Sequence, residues 1–242
     1  MVVVGRRLAI EDVVAVARGG APVSLADEAV ARMARGRAVV EGRLSDGEPH
    51  YGINTGFGAL AEIAIPDEDL AALQLNLIRS HAAGVGAPLP RDAVRAAMLL
   101  RAQVLSTGNA GARPVLAEML VSMLNAGIHP VIPSRGSVGA SGDLAPLAHM
   151  ALAMIGEGDV ERDGHVVPAA RALAEAGLLP VVLRPKEGLA LVNGTQVLTA
   201  VGLLALHDAG HLALAADVVG AMSLEAVLGT PDAFDRRVVE AR

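Results

Sequence analysis

The sequence has no cysteine and no tryptophan, and Tyr51, Phe57 and Phe234 are its only tyrosine and phenylalanine residues. Without cysteine there is no disulfide, no thiol nucleophile and no cysteine-ligated zinc or iron–sulfur centre. So few rings also leave little for nucleic-acid bases to stack on. Charge is sparse: 19% of the 242 residues are charged, and 26 acidic against 20 basic side chains give a net charge of -6. A mildly acidic chain lacks the cationic surface that neutralises phosphates, so nucleic acid is not an expected partner. The lack of cysteine is compatible with a reducing compartment, and the cytoplasm is the default expectation.

What the chain does have is apolar bulk, at 52% of residues. That excludes disorder and is enough for one large domain or two modest ones with a real core. The opening places Gly5-Arg6-Arg7 after a short apolar tip, the reverse of a signal peptide's order. Residues 188–206 carry no formal charge, but Asn193, Gly194, Thr195 and Gln196 interrupt them. A membrane span needs ~20 predominantly apolar residues, so the expectation is a buried bundle helix and no membrane.

Helical periodicity dominates. Leu70, Leu73, Leu77 and Ile78 make one stripe over 67–81, and Val94, Met98, Leu99 and Leu105 another over 91–105. Pro114 suits the first turn of a helix over 113–126, which Gly127 ends. Asp143 reads as the N-cap of a helix through Met154, and 169–176 as a short helix. From Thr195 to Leu228 the pattern is one long helix or two. Residues 159–167, with Asp163-Gly164 as the turn, are the one good hairpin. The expected fold is therefore mainly α, a helical bundle with a small β-hairpin. A composition shift near Pro185 divides 1–185, which carries the glycine-rich loops, from 186–242, the start of a long-helix bundle. That apolar helix has little after it to cover it, which implies more chain or other subunits.

Three segments break the helical pattern. Tyr51-Gly52-Ile53-Asn54-Thr55-Gly56-Phe57-Gly58 gathers most of the aromatics and fits no phosphate-loop or dinucleotide fingerprint. Gly136-Ser137-Val138-Gly139-Ala140-Ser141-Gly142-Asp143 reads as a tight turn into a helix, or as an anion-binding helix start. It also permits a backbone condensation. The Gly142 nitrogen can attack the Ala140 carbonyl, and loss of two waters leaves a methylidene-imidazolone (MIO) ring whose exocyclic carbon comes from Ser141. Asn193-Gly194-Thr195-Gln196 sets amides in an apolar run, either as a polar kink or as hydrogen-bond donors to something bound. His207 and His211 have the spacing of a zinc-peptidase helix, but Asp208 stands where such a helix has glutamate and no third ligand is evident. A polar stripe is the better reading, and no metal site is expected.

Taken in order, Tyr51–Gly58, Ser80-His81-Ala82-Ala83-Gly84-Val85-Gly86, Gly136–Leu144 and Lys186–Gln196 resemble the motifs of the aromatic amino-acid ammonia-lyases over nearly the whole chain. The resemblance implies that Ala140, Ser141 and Gly142 do form the MIO ring and that no external cofactor is used. It assigns Tyr51 as the base for the β-proton, Asn193 as a stabiliser near the ring carbonyl and substrate, and His81 and Gln196 to the substrate side. A free phenol titrates near ~10, so a basic role for Tyr51 calls for a lowered value or a proton path. The Ser80-His81 pair resembles the histidine-selective version, where phenylalanine- and tyrosine-selective relatives carry Phe-Leu and His-Leu. The resemblance also implies a homotetramer with shared sites, a chain much longer than this one, and further substrate-binding residues beyond Arg242. A tyrosine or phenylalanine lyase or aminomutase, or a non-catalytic helical scaffold, are the alternatives.

Overall fold

Helix α4, Arg91–Leu105, carries the core of the larger part of the chain. Ala93, Val94, Ala96, Ala97, Met98, Leu99, Ala102 and Leu105 are all buried along it. Alanines at four of these positions let neighbouring backbones approach closely, which replaces the missing aromatic bulk. Against it pack α1, Ile10–Ala17, and α5, Pro114–Asn125. Pro114 occupies the first turn of α5, where its missing N–H costs nothing. Gly127, at φ +67°, ends that helix while the Ile128 N–H returns to the Met123 carbonyl at 2.9 Å. Leu99, Leu116 and Leu120 are fully buried, each contributing about 1.5–3 kcal/mol of apolar transfer.

The computed structural model describes residues 1–138 and 142–241. The chain divides into two units, Met1–Val201 and Gly202–Arg242. In the first, α2 spans Asp27–Leu44 and α3 spans Leu70–His81. Further on come α6, Leu144–Met154, α7, Ala169–Glu175, and α8, Glu187–Val192. Helix α9 is one uninterrupted helix, Gln196–Ala226, so the long pattern resolves as one helix rather than two. Its first turns belong to the first unit and the rest to the second, where α10, Arg236–Glu240, follows. The stretch Glu187–Ala226 is long and apolar enough to cross a membrane by length and composition. Its beginning is buried in the first unit: Gly188, Ala190, Leu191, Val192, Val197 and Ala200 are all covered.

Strand content exceeds the single hairpin that the sequence predicts. The hairpin is there: β6, Asp159–Arg162, pairs antiparallel with β7, His165–Pro168. Its turn residues Asp163 and Gly164 both take positive φ, +52° and +81°, as a primed turn requires. A short β4, His129–Pro130, extends it into three strands. Strands β1, Val2–Val4, and β2, Val23–Leu25, run parallel on either side of α1, and β3, Val85–Pro88, pairs antiparallel with β5, Pro133–Arg135. These additions are strands of two to four residues, too short to leave an alternating pattern. Helices α3, α6 and α8 pack against one another as a second layer, and this layer positions the site.

Candidate active site

The C-terminal ends of α3 and α8 meet the N-terminal end of α6 and the Tyr51–Gly58 loop around a hollow of about 250 Å³. Tyr51, His81 and Asn193 line it, with Phe57, Gly58, Leu77, Leu144, Leu189 and Val192 as its remaining wall. Three residues singled out in the sequence, from segments far apart along the chain, therefore share one cavity.

Each is held locally. The Tyr51 loop closes on Asn54, whose Oδ1 accepts the His50 N–H at 2.6 Å and whose Nδ2 donates to the Glu48 carbonyl at 2.9 Å. Gly52, at φ +73°, lies so near α8 that a Cβ there would stand 2.6 Å from a Leu189 methyl. The Tyr51 ring meets Phe57 edge-on, with centroids 6.4 Å apart. Tyr51 remains 60% exposed, which leaves its phenol accessible from the hollow. His81 ends α3, and its Nδ1 sits 2.8 Å from the Leu77 carbonyl and 3.1 Å from Ser80 Oγ. The Ser80 hydroxyl itself donates to Leu77. A proton on Nδ1 satisfies the carbonyl and leaves Nε2 as a bare acceptor. Beyond it, Gly84 N–H donates to His149 Nε2 at 3.1 Å, and burial lowers the pKa of His149, consistent with a neutral ring.

Asn193 caps the C-terminus of α8, and its carboxamide makes no hydrogen bond to another described residue. The other end of that helix is anchored by Glu187, which is wholly buried. Its carboxylate takes two bonds from the Arg113 guanidinium, at 2.8 and 2.6 Å, and one each from the backbone N–H groups of Arg113 and Arg184. Paired and fully hydrogen-bonded, the charge tolerates burial. The sequence reading missed this pair, whose members lie 74 residues apart.

Of the three residues expected to form the ring, Ala140 and Ser141 lie outside the described residues. Gly142 has φ +119°, and a Cβ on it would meet the Gly194 carbonyl oxygen at 2.7 Å. Only glycine fits that position without strain. Next to it Asp143 is buried, but its carboxylate does not cap α6 as the sequence predicts. One oxygen accepts the Ser137 hydroxyl at 2.5 Å, and the other accepts Leu198 N–H at 2.8 Å in the first turn of α9. Asp143 thus holds the start of a different helix. Its own N–H donates to the Gly194 carbonyl at 2.5 Å. A short, well-tied backbone on the C-terminal side of the triplet, with glycine obligatory at 142, fits a self-condensed ring there.

Gln196 does not line the hollow. It is buried, and its Oε1 accepts from Arg101 Nη1 at 2.6 Å. Arg101 was also missed, although a lone cation inside the apolar run 96–105 is an available signal. Burial lowers its pKa to about 10. The His207 and His211 rings lie edge-on with centroids 4.5 Å apart, and the described residues contain no group of three potential metal ligands.

A family profile for aromatic amino acid lyases matches residues 8–242. The histidine ammonia-lyase of Anaeromyxobacter dehalogenans is 56% identical over 98% of this chain and 48% of its own length. That of Geobacillus thermodenitrificans is 48% identical over 100% of this chain and 48% of its own. Among solved structures, histidine ammonia-lyase from Trypanosoma cruzi superimposes with a TM-score of 0.93 at 40% identity, over 100% of this chain and 47% of that one. Tyrosine aminomutase from Streptomyces globisporus gives 0.88 at 42% identity, over 93% and 43%. This chain belongs to the aromatic amino acid lyase family. It spans about half the length of the curated relatives it matches.

Proposed function

We propose that this chain supplies catalytic and substrate-side residues of a histidine ammonia-lyase, which eliminates ammonia from L-histidine to give urocanate. The observation that carries the reading is the meeting of Tyr51, His81 and Asn193 around one hollow. The resemblance in sequence to histidine ammonia-lyases supports the substrate.

In the elimination the Cβ–H and Cα–N bonds break, a Cα=Cβ double bond forms, and ammonia leaves. The MIO ring from Ala140, Ser141 and Gly142 supplies an electrophile that makes the substrate's nitrogen a better leaving group. Tyr51, acting as its phenolate, accepts the β-proton and becomes the neutral phenol. The Asn193 carboxamide donates to oxygen as charge builds beside it. His81 Nε2, an acceptor once Nδ1 bonds Leu77, receives an N–H from the substrate imidazole, and the apolar wall of Leu77, Leu144, Leu189 and Val192 flanks the substrate's hydrocarbon atoms. Gln196 acts from behind, through Arg101, rather than on substrate directly.

The assembly is a homo-oligomer, a tetramer as the resemblance implies. Leu206, Leu212, Leu214, Val218, Val219 and Met222, exposed around α9, fit this reading, since so much apolar surface needs a cover from more chain or other subunits. The likeness to tyrosine aminomutase supports a second reading on the same scaffold. Supplying histidine, tyrosine and phenylalanine side by side and measuring ammonia and β-amino acid separates the two. Release of ammonia from histidine with formation of urocanate is expected. Preference for tyrosine, or a β-amino acid product, would overturn the histidine assignment.

A further inference from the structure

We infer that Arg101 is a positioning residue for ring closure: its guanidinium sets where the Asn193–Gly194 backbone stands against Gly142. The inference rests on the ring chemistry proposed above.

Arg101 reaches from α4 to the junction between α8 and α9, and its side chain is wholly enclosed. Nη2 donates to the Ala190 carbonyl. Nη1 donates to the Asn193 carbonyl at 3.2 Å and to Gln196 Oε1 at 2.6 Å. One planar group thus gathers acceptors from the end of α8, the corner after it and the first residue of α9. No carboxylate among the described residues pairs with it, and its Nε has no partner there. Burial accordingly draws its pKa down.

The layer below has no side chain to act as a spacer. A Cβ on Gly194 would strike Arg101 Nη1 and Gln196 Oε1. A Cβ on Gly142 would lie 2.7 Å from the Gly194 carbonyl oxygen and 2.9 Å from its nitrogen. The guanidinium and Gly142 thus both crowd the Gly194 backbone with no room for a side chain between, so a shift of the first is passed towards the last. The Gly194 carbonyl also receives the Asp143 N–H, which ties down the chain next to the reacting nitrogen.

Ring closure is sensitive to such a shift. The Gly142 nitrogen must form a bond to the Ala140 carbonyl carbon. The former carbonyl oxygen leaves as water with the protons of the Gly142 and Ser141 amides. The Ser141 hydroxyl leaves as a second water with its α-hydrogen, and no oxidant is needed. Misplacing reacting atoms by about 1 Å can cost a hundredfold in rate. For stability alone a buried cation without a carboxylate partner is a costly choice, which points to the placement of its three acceptors as its role.

The test follows intact mass and the ring's near-ultraviolet absorbance over time after cell-free synthesis of the full chain, with thermal midpoints measured in parallel. Arg101→Met leaves the Ala190 and Asn193 carbonyls and Gln196 Oε1 without their donor, so its midpoint is expected to fall, and it should lose its two waters at least about tenfold more slowly even well below that midpoint. Arg101→Lys keeps the charge but cannot span the same acceptors, and it should recover part of the rate. Dehydration of Arg101→Met at the normal rate overturns the inference while the ring stands. So does a slowed rate that merely tracks a lowered midpoint. If Arg101→Met does not fold, Arg101→Lys decides: slowed closure at an unchanged midpoint supports the inference, and normal closure overturns it. An unsubstituted chain that never dehydrates removes the ring proposal and this inference together.

Discussion

Replacing Glu187 by alanine should destabilise the first unit more than any exposed ion-pair substitution. The carboxylate is fully enclosed and accepts four hydrogen bonds, two of them from the Arg113 guanidinium. Removing one partner of a buried pair costs about 3–5 kcal/mol, because the other charge is left without its counter-ion. Arg113 retains 22% side-chain exposure and a bond to the Val182 carbonyl, so water can partly compensate it. The lower end, about 3 kcal/mol, is therefore expected. In a chain of this size each kcal/mol moves the thermal midpoint by about 2–4 °C, giving a fall of about 6–12 °C. Glu187→Gln preserves shape and one acceptor and should lose about half as much. Thermal unfolding followed by far-ultraviolet circular dichroism reads both, with Glu175→Gln as a control at the exposed Arg171–Glu175 pair, where no change is expected. A Glu187→Ala midpoint equal to the control's would refute the reasoning, since the buried pair would then behave like a solvated one.

Two further substitutions probe different layers of the site. His149 has a lowered pKa and accepts the Gly84 N–H as a neutral ring, whereas in the unfolded chain it titrates near ~6.5. Its contribution is therefore present above that value and lost as pH falls from it towards the lowered native one. The midpoint should drop as pH falls below about 6.5, and His149→Gln should flatten part of that slope. The lowered pKa of buried His129 keeps the rest, and an unchanged slope in the variant would contradict the assignment. Tyr51→Phe should leave the near-ultraviolet ring band intact while lowering turnover by at least about a hundredfold, the usual scale for losing a general base. Near-normal turnover would remove Tyr51 from that role.

Much of this architecture is legible in the residues, and what is not has physical causes. Helices α4 and α5 announce themselves because their buried faces are apolar at helical spacing and proline and glycine bracket α5. The Asp163-Gly164 turn is legible because few dipeptides accept positive φ twice. Helix α2 is harder: its buried stripe is Ala29, Met33, Arg37 and Val40, and Arg37 is satisfied by Glu41 and the Pro185 carbonyl. An arginine at one of only four buried positions interrupts so thin a stripe. Tyr51, His81 and Asn193 can each be named from motif and resemblance, but their shared hollow depends on how α3, α6 and α8 pack. Asp143 shows the limit of local rules most clearly. Its position next to α6 reads as a cap, yet tertiary packing turns its carboxylate to Ser137 and Leu198 instead. The Arg113–Glu187 and Arg101–Gln196 contacts are equally long-range, and no local pattern encodes them.

The central claim is that the backbone at Ala140, Ser141 and Gly142 condenses into an electrophile. High-resolution intact-mass measurement of the purified chain tests it most directly. The expected mass is that of the encoded sequence less two waters, with the deficit mapping to the peptide that contains Ser141 and absent from Ser141→Ala. A mature chain at its full encoded mass would contradict the account.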